Sequence, residues 1–284
     1  MNRHQAWTAY GSTSLFVLAW SSGAIVAKLS LAYASPFAFL LLRFVVALAA
    51  LVLIAWRRKR WLPPRGARLA VARAGLFMLG GYTVCYLLAL AHGLTPGVLA
   101  TVLGVQPLVT LLVTERRIAP LRALGLALAL AGLVLVVWQG MRLDGLGVAG
   151  MLYALGALFC ISAGAILQKR SGQDPLTGLP LQYALSLVLC LALAPTQPLW
   201  LVPGFGLAWT LAWLGLVISV GATLLFYRLI AAGNLVNVTS LFYLVPLGTA
   251  ALDWLLLGNV PAPQSVAGMA AILAGLALAL RAAR

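Results

Sequence analysis

GLALALAGLVL (residues 125–135) and GMAAILAGLAL (residues 268–278) stand about 140 residues apart in a chain of 284 and read as two copies of one segment. Other stretches repeat at nearly the same offset. SSGAIVAK (21–28) meets SAGAILQK (162–169), SPFAFLLLRF (35–44) meets DPLTGLPLQY (174–183), and AHG (91–93) meets AAG (231–233). The alignment sets Arg43 against Gln182, and Pro107 of GVQPLVT against Pro246 of YLVPLGT. The chain therefore divides into two related halves, 1–143 and 144–284. One departure is visible: Pro107 to Gly125 is about one helical turn shorter than Pro246 to Gly268.

Composition sets the medium. The chain is 63% hydrophobic and 8% charged, against about 25% charge in soluble domains, so it reads as an integral membrane protein. The net charge is +15, with four acidic residues, Glu115, Asp144, Asp174 and Asp253. The basic residues lie between apolar runs, where the positive-inside rule puts them, so the charge does not indicate nucleic acid. Cys85, Cys160 and Cys190 lie singly in apolar runs and read as small buried hydrophobes. No metal or cofactor is expected. The first apolar run reads as a retained helix and not as a signal peptide.

A membrane span needs about 20 apolar residues. Ten candidates meet this: 12–32, 36–56, 72–91, 96–114, 119–138, 147–168, 178–194, 206–230, 235–257 and 263–281. Ser35-Pro36 and Thr95-Pro96 are cap-plus-proline helix starts, and Asn234 is a candidate N-cap. With both termini cytoplasmic, 16 of the 19 basic residues fall on the cytoplasmic side. Trp7, Trp56, Trp61, Trp138 and Trp200 sit near span ends as interfacial anchors. Each half holds five spans, an odd number, so the second half enters the membrane upside down. The expected fold is all-α, ten transmembrane helices in two inverted five-helix repeats, an architecture that transporters build around a midplane site.

The chain resembles the drug/metabolite transporter superfamily, as two copies of the five-helix EamA unit. The resemblance rests on LAWSSG (18–23), Arg43 after Pro36, the prolines Pro107 and Pro246, and the pairs Ala131-Gly132 and Ala274-Gly275. Many EamA halves carry Gly-Glu after the fourth helix; here those places read Gly258-Asn259 and Thr114-Glu115. In size and form the chain is most similar to the YddG-type amino-acid exporters. The resemblance implies a basket of ten helices around a central cavity, lined mainly by helices 1, 3, 4, 6, 8 and 9.

Pro107 and Pro246 each remove a helical hydrogen bond. With Gly104 and Gly248 beside them they are candidate hinges next to a polar space. Polar residues at helical spacing supply a candidate cavity: Trp20 and Ser21, Tyr82 and Tyr86, Thr101 and Gln106, Ser162, Thr223 and Tyr227, Ser240 and Tyr243. Ser22, Ser219 and Asn237 lie in the same polar stretches. Gly156, Cys160 and Gly164 form a small-residue line suited to close helix contact. Arg43 and Asp253 are charges inside spans, about 10 Å and 6 Å from the outer helix ends at 1.5 Å per residue. These depths permit an ion pair. A structural pair or a snorkelling arginine weighs more at this point than a role toward a solute.

The expectation is an inner-membrane exporter of amino acids or similar small metabolites, neutral or zwitterionic, working by alternating access and not an enzyme. Scarce intramembrane carboxylates favour uncoupled exchange, with Asp253 as the alternative proton carrier. The rival in the same superfamily is a multidrug or quaternary-amine exporter. A membrane-embedded enzyme would want a catalytic pair or metal cluster at depth, and a channel would not show counterflow. The partners expected are a small-molecule solute and membrane lipid, with a monomer as the plausible state.

Overall fold

The computed structural model describes residues 3–59, 61–114, 120–142, 147–232 and 244–281. Helices follow the ten spans in order. The first half holds α1 (Arg3–Ser30), α2 (Pro36–Arg58) and α3 (Arg65–Ala91), then α4 in two pieces (Pro96–Leu103 and Gln106–Thr114) and α5 (Pro120–Arg142). The second half holds α6 (Gly147–Ser171), α7 (Pro175–Leu193), α8 (Phe205–Ala231), α9 (Leu244–Leu257) and α10 (Pro263–Arg281). Among the described residues α2, α3, α4, α6, α7 and α8 are long and apolar enough to cross a membrane. α1, α5 and α9 contribute shorter apolar stretches, Leu15–Ser30, Ala123–Val136 and Val245–Leu257.

The helix starts follow their capping residues. Thr95 accepts a bond from Val98 N at 3.4 Å, with Pro96 opening the helix. Asp174 accepts from Leu176 N at 3.2 Å ahead of Pro175. Ser35 stands at the cap of α2, but its hydroxyl takes Trp200 N at 3.2 Å instead. That bond belongs to a short antiparallel bridge tying the α1–α2 link to the α7–α8 link, with Ser35 N on Trp200 O at 2.9 Å and Val202 N on Tyr33 O at 2.7 Å. α1 begins at Arg3, ahead of the expected start at residue 12.

Matching helices of the two halves meet, and they meet antiparallel. On α5 and α10, Gly132 abuts Gly268 and Gly125 abuts Gly275, so numbers rise along one helix as they fall along the other. Exchanging the halves carries the first contact onto the second, as a two-fold axis between the helices requires. The backbones are close enough that a Cβ on Gly132 would stand 2.6 Å from Gly268 O. The same holds for α2 and α7, where Phe37 O faces Cys190 and Phe44 stacks edge-on with its repeat counterpart Tyr183, centroids 5.9 Å apart. It holds for α4 and α9, where Gly97 meets Asp253 and Gly104 meets Pro246. Remaining contacts come in exchanged sets: α1 packs on α8 and α9, α6 on α3 and α4.

The small-residue line on α6 admits α3 closely. A Cβ on Gly164 would lie 2.7 Å from Met78 N, and Cys160 meets Cys85 across the two helices. The outward faces are apolar, with Leu18, Val134, Leu152, Phe159 and Leu255 exposed. That suits a chain surrounded by lipid tails. Trp56, Trp61, Trp138 and Trp200, read as interfacial anchors, are also exposed.

Two features depart from plain helices. α4 stops at Leu103, turns through Gly104 and Val105, and restarts at Gln106 with Pro107 in its first turn. The proline thus opens a new helix, where its missing N–H costs nothing, and the break falls just before it. α3 and α8 each contain a π-helical stretch, Leu76–Gly81 and Trp213–Ala222, at matching places in the two halves. Wide turns of this kind leave carbonyls in need of donors. Thr83 bonds Leu79 O, and Thr223 bonds Ile218 O at 3.0 Å.

Candidate functional site

A central cavity lies where the two π-helical stretches face α1, α2 and α7. Its wall includes Trp20, Gly23 and Ala24 of α1, Arg43 of α2, Met78, Tyr82 and Tyr86 of α3, Ile161 of α6, Tyr183 of α7, and Ile218, Thr223, Phe226 and Tyr227 of α8. Expectation and structure differ over the wall. α2 and α7 contribute to it, while the described parts of α4 and α9 do not. The reason is the Phe44–Tyr183 contact, which brings α2 and α7 together at the two-fold axis. The cavity's free volume is about 50 Å³, room for about four waters at ~10–15 Å³ each. A larger solute requires a wall to move.

Of the residues expected to line a cavity, the structure brings together Trp20, Tyr82, Tyr86, Thr223 and Tyr227. Four others lie elsewhere. Ser21 bonds Val245 O at 3.3 Å, under Gly248, where a Cβ would come within 2.6 Å of the hydroxyl. Thr101 bonds Gly97 O at 2.7 Å and borders a small separate pocket with Gly104 and Pro246. Gln106 and Ser162 are buried away from the cavity, and among the described residues neither amide atom of Gln106 nor the Ser162 hydroxyl has a partner. Ser240 and Tyr243 lie outside the described residues, as do Asn234, Asn237 and Glu115. The link at 115–119, which carries the one-turn shortfall, lies outside them too.

The two intramembrane charges do not pair. Arg43 donates from Nε to Ser219 Oγ at 2.8 Å and borders the cavity. Ser219 O in turn accepts from Tyr183 at 2.6 Å. Asp253 instead accepts from Gly97 N and Asn259 Nδ2, both at 2.8 Å, at the N-terminal end of α4. A carboxylate there meets the positive end of the helix dipole. Asp253 thus pins α9 to α4, and replacing it with alanine is expected to cost about 1.5–3 kcal/mol, read as a lower melting midpoint in detergent.

Gln182, the counterpart of Arg43, is fully buried and central to a polar network. It donates to Val71 O at 3.1 Å and Gln168 Oε1 at 2.9 Å, and accepts from Tyr227 at 2.9 Å. Gln182 and Tyr183 were not among the residues expected at the cavity, and Arg43, expected first as a structural charge, borders it. The repeat alignment was the available signal, since it sets Arg43-Phe44 against Gln182-Tyr183.

A second two-fold related pair sits at the helix ends. Lys28 of α1 donates to Leu90 O at 2.8 Å, at the end of α3. Its counterpart Lys169 of α6 donates to Ile230 O at 2.7 Å and Ala231 O at 3.2 Å, at the end of α8. Each ammonium satisfies last-turn carbonyls and the negative end of a helix dipole. The two-fold relation places the lysines at opposite ends of the bundle.

Antiparallel, two-fold related helix sets around a central polar cavity define a membrane carrier architecture. The chain belongs to the EamA-like transporter family, whose model matches it twice, over residues 8–138 and 148–281. Members of this family are transporters, and this chain is a multi-pass membrane protein of that kind. A solved structure described only as the crystal structure of a protein superposes with a TM-score of 0.68. It covers 98% of each chain at 24% identity, a likeness of fold. Comparison with curated proteins gave no match.

Proposed function

We propose that the chain is a bacterial inner-membrane exporter of amino acids or similar small metabolites, similar to the YddG-type exporters and working by alternating access as uncoupled exchange. On this reading ten spans cross the membrane, both termini are cytoplasmic, and the halves 1–143 and 144–284 are related by an axis in the membrane plane. The observation that carries the reading is the cavity between the halves, with four phenols, Trp20 and one guanidinium in its wall. Such a wall suits a small polar solute with an apolar side chain. No acidic side chain borders it among the described residues, which disfavours the quaternary-amine reading.

The lysine pair supplies gates. Lys28 holds α1 to α3 at the outer end, and Lys169 holds α6 to α8 at the cytoplasmic end. Releasing one latch at a time opens the cavity to one side, and the α4 break at Gly104–Pro107, with Pro246 of α9, supplies the hinges. They touch, since a Cβ on Gly104 would lie 2.9 Å from Pro246 Cγ. Asp253, occupied at the α4 end, is a structural carboxylate and not a proton carrier.

The test is counterflow in proteoliposomes preloaded with unlabelled amino acids and challenged with labelled ones. Uptake above empty liposomes is expected, with the same pH profile for wild type and Asp253→Asn. Absence of amino-acid counterflow overturns the reading, and a pH dependence lost in Asp253→Asn overturns uncoupled exchange.

A further inference from the structure

We infer that Arg43 is a carboxylate anchor, and that the cavity takes solutes carrying a carboxylate at one end and an apolar or aromatic body at the other. The inference rests on the transporter reading above and narrows its substrate class.

Three observations carry it. First, the guanidinium is held from behind. Its Nε is fixed on Ser219, within the π-helical stretch of α8, and Ser219 O is fixed by Tyr183. That leaves the two terminal nitrogens, the forked end that matches a carboxylate in two parallel bonds. Second, no carboxylate among the described residues compensates the charge, since Asp253 is engaged at α4 and Asp174 caps α7. A lone cation inside a membrane is costly, and an arriving carboxylate relieves that cost while gaining charge-assisted bonds. Third, the rest of the wall is divided. Tyr82 and Tyr86 line the same cavity as the guanidinium, where their hydroxyls can donate to the same anion, the Tyr183 proton being held by Ser219 O. Trp20 and Phe226 supply the aromatic part of the wall on the α1–α8 side, centroids 5.6 Å apart, with fully buried Phe16 packed against both. An apolar side chain has its natural seat there.

The repeat sharpens the assignment. Gln182 occupies the equivalent place on α7, but every polar group it has is engaged with Val71, Gln168 or Tyr227. One half of the two-fold arrangement locks its polar residue into the scaffold, and the other presents it to the cavity. The site is single and polar at one end, so a solute binds in one orientation.

The test measures binding by titration calorimetry of the purified full chain in detergent, with three probes of one body. L-phenylalanine has both charges, N-acetyl-L-phenylalanine keeps the carboxylate only, and L-phenylalaninamide keeps the ammonium only. Wild type is expected to bind the two acids and to bind the amide about ten- to a hundred-fold more weakly, the range of a charge-assisted bond. Arg43→Gln is expected to weaken the acids by a similar factor and to erase their advantage over the amide, with Arg43→Lys in between. The acid-to-amide ratio in wild type needs no variant, so the test survives a variant that folds poorly. Equal binding of acid and amide by wild type overturns the anchor, as does an unchanged ratio in a folded Arg43→Gln. Binding of N-acetyl-L-phenylalanine without any amino-acid counterflow leaves the anchor standing and sinks the amino-acid reading.

Discussion

Gly275→Leu is expected to break the fold at its two-fold axis. A Cβ at Gly275 runs into Gly125 O and Ala129 N, both backbone atoms of α5. No side-chain rotation relieves such a contact, so α10 must move away from α5. Overpacking of an interior costs about 1–3 kcal/mol, and more where backbone must shift. Among the described residues the displaced pair is the most extensive helix contact. The expected result is loss of most monodisperse protein on size-exclusion chromatography and a melting midpoint too low to purify. Gly132→Leu, its two-fold mate against Gly268 O and Ile272 N, should do the same. Gly66→Ala, with open space around it, should leave the midpoint unchanged. A normal midpoint for Gly275→Leu would mean that α5 and α10 do not cross at their glycines.

Gln182→Leu comes next in expected size. It strips partners from the Tyr227 hydroxyl, Gln168 Oε1 and Val71 O together. A buried polar group left unsatisfied costs about 1–3 kcal/mol, so losses of about 3–6 kcal/mol are in reach before relaxation. A double-mutant cycle separates the pair term. Adding Tyr227→Phe to Gln182→Leu removes one orphan, so the double variant should melt above Gln182→Leu alone. If Gln182→Leu melts like wild type, the network contributes nothing.

How much of this was legible in advance depends on what each signal measures. Hydropathy counts apolar residues along the chain, and it placed the helices well because a span is a local property. The self-similar GLALALAGLVL and GMAAILAGLAL turn out to be where α5 and α10 meet, at their glycines. The break in α4 was announced by Pro107, though it falls at Gly104–Val105 because proline is accepted at the start of a helix. Which polar residues would gather was harder. In lipid the outward face of a helix is as apolar as the inward one, so little amphipathic asymmetry is left to point a side chain. Ser21 and Thr101 therefore looked like Tyr82 in sequence, yet they bond backbone carbonyls away from the cavity while Tyr82 borders it.

The sequence by itself determined a membrane chain of two related halves, their helices and the Thr95 cap of α4, all of which rest on local composition and on self-similarity. Only the tertiary structure decided that matching helices meet antiparallel, and that Phe44 and Tyr183 close on each other beside the cavity. It alone decided that Arg43 leans on Ser219 rather than on Asp253. Those partners are far apart in the chain, and their meeting depends on how each helix is rotated about its axis. Side-chain fit fixes that rotation, and a uniformly apolar helix does not spell it out.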